Sequence, residues 1–89
     1  MDKNRFVAEK LGIKWYEKEF PECGVSNPYF YDDAGAVELL RMIMKSKYRD
    51  SFCNCYGCKY NGVYYILPTL ITVSGSLLNA VAGYFGWRE

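Results

Sequence analysis

The stretch Ser51–Gly62, SFCNCYGCKYNG, decides how this chain folds, because it can be read as a strand, a metal knuckle or a redox loop. It carries three of the four cysteines as C-x-C-x-x-C and ends in Asn61-Gly62. Asn-Gly is a preferred pair for a two-residue type I′ turn, in which both residues take positive φ. The residues that follow, VYYIL at Val63–Leu67, are aromatic and β-branched, so the pattern predicts a β-hairpin with the cysteine-rich stretch as its first strand. On a regular strand Cys53 and Cys55 share one face and Cys58 takes the other, unless Gly57 carries a bulge.

That geometry weighs against a metal. A zinc site would gather thiolates from Cys53, Cys55 and Cys58, with Cys23 brought from an upstream loop to complete a tetrahedron. A second C-x-x-C pair, the feature that makes zinc spacing specific, is missing. A redox C-x-x-C belongs at a helix N-terminus rather than before a hairpin turn. The cysteines are therefore read as reduced packing groups, with no metal and no cofactor.

The chain has 89 residues, which suits a single domain spanning residues 1–89 with one small core. Eleven Lys/Arg face ten Asp/Glu, so net charge selects no partner. Histidine is absent, which removes the commonest general base and every Ser-His-Asp or Cys-His arrangement. The first residues, MDKNRFVAEK, contain no apolar signal core, and a reducing cytoplasmic location is expected. From Asn61 to Trp87 there is no charged residue, a run long enough to cross a bilayer. Asn61-Gly62, Pro68, Ser74–Ser76 and Asn79 break it into a hairpin and a helix, so no membrane span is expected.

Working outward, DKNRFVAEKLG reads as a short amphipathic helix with Phe6, Val7 and Leu11 on one face, Asp2 or Asn4 as cap and Gly12 as stop. IKWYEKEF, Ile13–Phe20, alternates apolar and charged residues as a short strand or an extended arm does. PECGVSNPYFYDD is the main irregular connection. DAGAVELLRMIMKSK predicts a longer helix capped by Asp32 or Asp33, with a buried stripe of Val37, Leu40, Ile43 and Met44. A last helix is expected from Ser74 or Ser76 to about Gly86, with Pro68 as the alternative start. The order predicts an α+β fold: a small α/β sandwich, two to three helices packed on a small antiparallel sheet that contains the hairpin.

The segments VAEKLGIKWY, YFYDDAGAVELLRMI, the strand–turn–strand around Asn61-Gly62, and LLNAVAGYFGW follow one another in an order that resembles the phage ABA sandwich domain family. The likeness implies a compact sandwich of phage or prophage origin, hence a bacterial host cell as the setting of the cytoplasmic location, with no activity assigned at family level. The cysteine-rich hairpin and LPTLITVSGS depart from that family's pattern.

Arg41, Lys45, Lys47, Arg49 and Lys59 cluster in sequence beside Tyr56, Tyr60, Tyr64 and Tyr65, a mixture that can meet phosphate and stack bases. Arg41, Lys45, Arg49, Tyr56 and Lys59 are the partner-binding candidates, although balanced charge also suits a solvated helix face. Asp32-Asp33 reads as a cap rather than an acid/base pair, and no glycine-rich phosphate loop is present. The expected function is a non-enzymatic phage accessory protein. It would bind a host protein or protein complex, or itself as a homodimer, and antagonise a host defence system such as CRISPR. The alternative is a zinc-stabilised nucleic-acid-binding module built on the cysteines and the basic cluster.

Overall fold

Asp2 begins the first helix, α1 (Lys3–Lys10), by accepting the Asn4 N–H at 3.3 Å. Gly12 ends it: the Ile13 N–H reaches back to the Ala8 carbonyl at 2.9 Å and the Gly12 N–H to Glu9 at 3.1 Å. These ends follow from local cap chemistry, as the sequence predicts. The computed structural model describes residues 2–66, 70 and 73–88, without the side chains of Cys58, Lys59 and Tyr64. A short 3-10 turn at Pro21–Cys23 precedes α2 (Asp33–Lys45) and α3 (Arg49–Tyr56). Strands β1 (Gly57–Tyr60) and β2 (Val63–Ile66) and helix α4 (Ser76–Tyr84) complete the order.

The architecture corrects the expected sandwich. Among the described residues the chain is mostly helical, and its strands form only one short antiparallel pair. No layered sheet exists there for helices to cover, so the sandwich implied by the phage-family likeness is overturned as well. Two segments account for the difference. Ile13–Phe20 makes no strand, and Phe20 forms only an isolated bridge with Val25. The Asn27 side chain takes a neighbouring strand's place, its Oδ1 accepting from the Tyr16 N–H at 2.7 Å and its Nδ2 donating to the Tyr16 carbonyl at 2.8 Å. A carboxamide carries the same donor and acceptor as a peptide group, so an extended arm can be satisfied without a sheet.

The second segment is the cysteine-rich stretch, which is not a strand up to its turn: Arg49–Tyr56 is helix, and pairing starts only at Gly57. Ser46 makes the junction with α2, its hydroxyl donating to the Ile43 carbonyl at 2.7 Å and accepting the Tyr48 N–H at 3.2 Å. Helical geometry then lays Phe52 and Tyr56 one turn apart, with rings 5.1 Å between centroids. Phe52 meets Tyr84 of α4 edge-on at 5.7 Å, and Tyr48 meets Phe85 at 4.8 Å. A strand would keep Phe52 and Tyr56 on one face but about 13 Å apart, four residues at roughly 3.3 Å each, and the ring contact would be lost.

Gly57 converts helix to strand because β2 passes too close for a side chain: a Cβ there would lie 2.0 Å from the Tyr65 carbonyl oxygen. The register pairs Gly57 with Ile66, Cys58 with Tyr65, Lys59 with Tyr64 and Tyr60 with Val63. Asn61 (φ 51°) and Gly62 (φ 78°) form the turn with positive φ, as expected of type I′.

The core gathers Val7 and Ala8 from α1, Phe30 from the arm, Ala36, Leu39 and Ile43 from α2, Phe52 from α3, and Leu77, Leu78 and Val81 from α4. Burying each large apolar side chain contributes roughly 1.5–3 kcal/mol, so these helix faces dominate the fold's stabilisation. Asp32 caps α2 through the Gly35 N–H at 2.7 Å, as expected, but the predicted stripe is rotated. Ile43 is buried, whereas Leu40 and Met44 are half-buried and Val37 is 48% exposed. Gly35 turns this face toward the arm, since a Cβ there would lie 1.9 Å from the Tyr29 carbonyl oxygen. Helix α4 starts at Ser76, one of the expected positions; the alternative start at Pro68 lies outside the described residues. No helix among the described residues is long and apolar enough to cross a membrane.

Candidate interaction surface

The hairpin's alternation divides its residues between two faces. Ile66 lies on one face and packs against the core, which fixes the ribbon to the helices. Tyr60, Val63 and Tyr65 fall on the other face by register, and they are 67%, 51% and 51% exposed. Three large apolar or amphipathic side chains therefore stand together in solvent on a backbone held by a tight turn and by Gly57. Aromatic residues on a preorganised backbone lose little conformational entropy on binding, and tyrosine is enriched at interface hot spots. This arrangement can bury a protein surface.

The sequence-predicted partner residues are dispersed over different environments. Arg41 is exposed on α2 and pairs with Glu38 at 3.8 Å, one turn back. Lys45 is exposed at the end of α2, beside an apolar groove of about 340 Å³ lined by Leu11, Ile13, Met42 and Ser46. Arg49 opens α3 and pairs with Asp50 at 3.3 Å. Tyr56 is half-buried against Phe52, so most of its ring serves the core. The Lys59 side chain lies outside the described residues. Val63 is not among the partner residues expected from the sequence, where Tyr60 and Tyr65 figure as hairpin residues and as aromatic neighbours of the cations. Alternation counted outward from Asn61-Gly62 is the signal that groups them.

The cysteines do not share the predicted face. On α3, Cys53 is buried and Cys55 exposed, because two residues on a helix are separated by about 200°. Cys23 is exposed on the 3-10 turn, and the Cys58 side chain lies outside the described residues. No group of three metal-ligating side chains occurs among the described residues.

No family model, curated protein or solved structure matches this chain, so the interaction surface is defined by its own geometry.

Proposed function

We propose that this chain is a phage- or prophage-encoded accessory protein that acts by binding, and that it docks on a host protein through the Tyr60–Val63–Tyr65 face. The observation that carries the reading is the exposure of these three side chains on one face of a hairpin whose opposite face is anchored by Ile66. The order of the phage-like segments supports the origin. A host partner whose surface belongs to a defence complex, such as a CRISPR effector, would be blocked sterically by the docked domain. Near-neutral charge favours a protein over nucleic acid as partner.

Site-specific photo-crosslinking in the bacterial host tests this reading. A photoreactive phenylalanine analogue at position 60 or 65 is expected to trap one discrete host protein, whereas the same group at exposed Asn54 on α3 traps none. Equal trapping from all three positions contradicts the reading. Trapping of a second copy alone would reassign the face to self-association.

A further inference from the structure

A cleft of about 200 Å³ opens between the start of α1 and the arm, and its chemistry differs from that of the hairpin. Its lining includes the carboxylates of Asp2 and Glu19, the rings of Trp15 and Tyr29, and the amides of Asn4 and Asn27. Both amides already have partners. Asn4 holds the backbone at Pro28 and Phe30, and Asn27 holds Tyr16, so they stiffen the walls. The carboxylates and the parts of the Trp15 and Tyr29 rings that line the cleft remain to meet a ligand, although Trp15 already carries the Arg5 guanidinium at 6.0 Å and Tyr29 packs on Tyr31 at 5.3 Å.

Asp2 uses Oδ1 to accept from the Asn4 N–H and, at 3.0 Å, from the Tyr31 hydroxyl. Glu19 uses Oε1 to accept from the Asn27 N–H at 2.7 Å. Among the described residues neither forms an ion pair. The nearby cations have other partners: Arg5 pairs with Glu9 at 3.1 Å and Glu17 at 2.8 Å and lies over the Trp15 ring at 6.0 Å without lining the cleft, Lys14 lies over Tyr16 and Lys18 over Phe20. The result is a concave site with two carboxylates that form no ion pair among the described residues, and with two aromatic walls.

We propose that this cleft binds an organic cation of the guanidinium or methylated-ammonium class. Carboxylates supply the charge, and aromatic faces attract such weakly hydrated cations through the ring quadrupole. A divalent metal is the poorer occupant, since calcium takes about six to eight oxygen ligands and this cleft has two carboxylates. The volume is also below the roughly 300–1,000 Å³ typical of drug-sized ligands, which favours a head group or one side chain.

Asp2→Asn and Glu19→Gln remove the charges while leaving an oxygen for each hydrogen bond described above. Two-dimensional amide NMR titrations of the full chain with methylguanidinium, tetramethylammonium and a short single-arginine peptide read binding at the Trp15 indole N–H, with Trp87 as internal control. The expected result is a saturable Trp15 shift with at least one probe, weakened by about tenfold or more in the Asp2→Asn/Glu19→Gln variant. Equal affinity for methylguanidinium and the peptide assigns the site to a free cation; tighter peptide binding assigns it to a protein side chain. No saturable shift with any probe, equal binding by wild type and variant, or tighter binding of calcium than of any organic cation would overturn the proposal.

Discussion

Asn4 fastens the backbone of Phe30 to the first helix from within the protein. Its Oδ1 accepts the Phe30 N–H at 2.9 Å while its Nδ2 donates to the Pro28 carbonyl at 2.5 Å. Asn4 is the buried polar residue of the described core, and Phe30 is buried beside it. The arm is thereby held against α1 by one side chain acting as a peptide group. Asn4→Ala orphans both backbone groups, and a buried unsatisfied group costs about 1–3 kcal/mol. Urea denaturation should show a loss in that range or above; a change under about 0.5 kcal/mol, typical of surface substitutions, would place the amide in solvent.

Leu39 and Leu40 separate the two readings of α2. Leu39 is fully buried and Leu40 half-buried, so Leu39→Ala should cost about 2–5 kcal/mol and Leu40→Ala distinctly less. Paired denaturation curves check this, and the reverse order would restore the stripe expected from the sequence.

Gly57→Ala should disrupt the hairpin at its root. The added methyl would meet the Tyr65 carbonyl, which is backbone and cannot swing aside as a side chain can. Overpacking of this kind costs about 1–3 kcal/mol, and amide hydrogen exchange should report it as lost protection across β1 and β2 with α1 unaffected. Unchanged protection at the paired strands would contradict the close approach.

Tyr31 provides a pH test. Burial raises its phenol above the ordinary value of 10.0, and the hydrogen bond to Asp2 and that residue's charge raise it further. The neutral form is therefore favoured by folding. This contribution is complete below the unfolded value and is lost as pH rises through the higher folded value. Stability should decline on the alkaline side, and Tyr31→Phe should flatten that decline in melts at increasing pH. An unchanged alkaline slope in the variant would exclude Tyr31 as its source.

The elements legible in the sequence are those fixed by local chemistry. Asp2 and Asp32 cap their helices, Gly12 stops α1, and Asn61-Gly62 turns the hairpin, because each acts on backbone groups within a few residues. Helix α3 was obscured because Phe, Cys, Asn and Tyr are weak helix formers, and tertiary packing of Phe52 against Tyr84 overrides that preference. The four-residue spacing of Tyr48, Phe52 and Tyr56 was its remaining trace. Ile13–Phe20 kept a strand-like pattern, but the side chain of Asn27 satisfied the backbone that a second strand would have paired. On the interaction surface, the cations at Arg41, Lys45 and Arg49 were conspicuous by charge. The Tyr60–Val63–Tyr65 face emerges only when register is imposed.

The docking claim is tested most directly by titrating the purified, crosslink-identified host protein against wild type and the Tyr60→Ser/Tyr65→Ser variant. Both side chains are more than half exposed, so the variant should keep its fold by circular dichroism and melting. Loss of two interface tyrosines should weaken binding by about tenfold or more, since each tenfold is about 1.4 kcal/mol and hot-spot residues reach 2 kcal/mol. Wild-type affinity in a folded variant would contradict the assignment of the hairpin face as the docking surface.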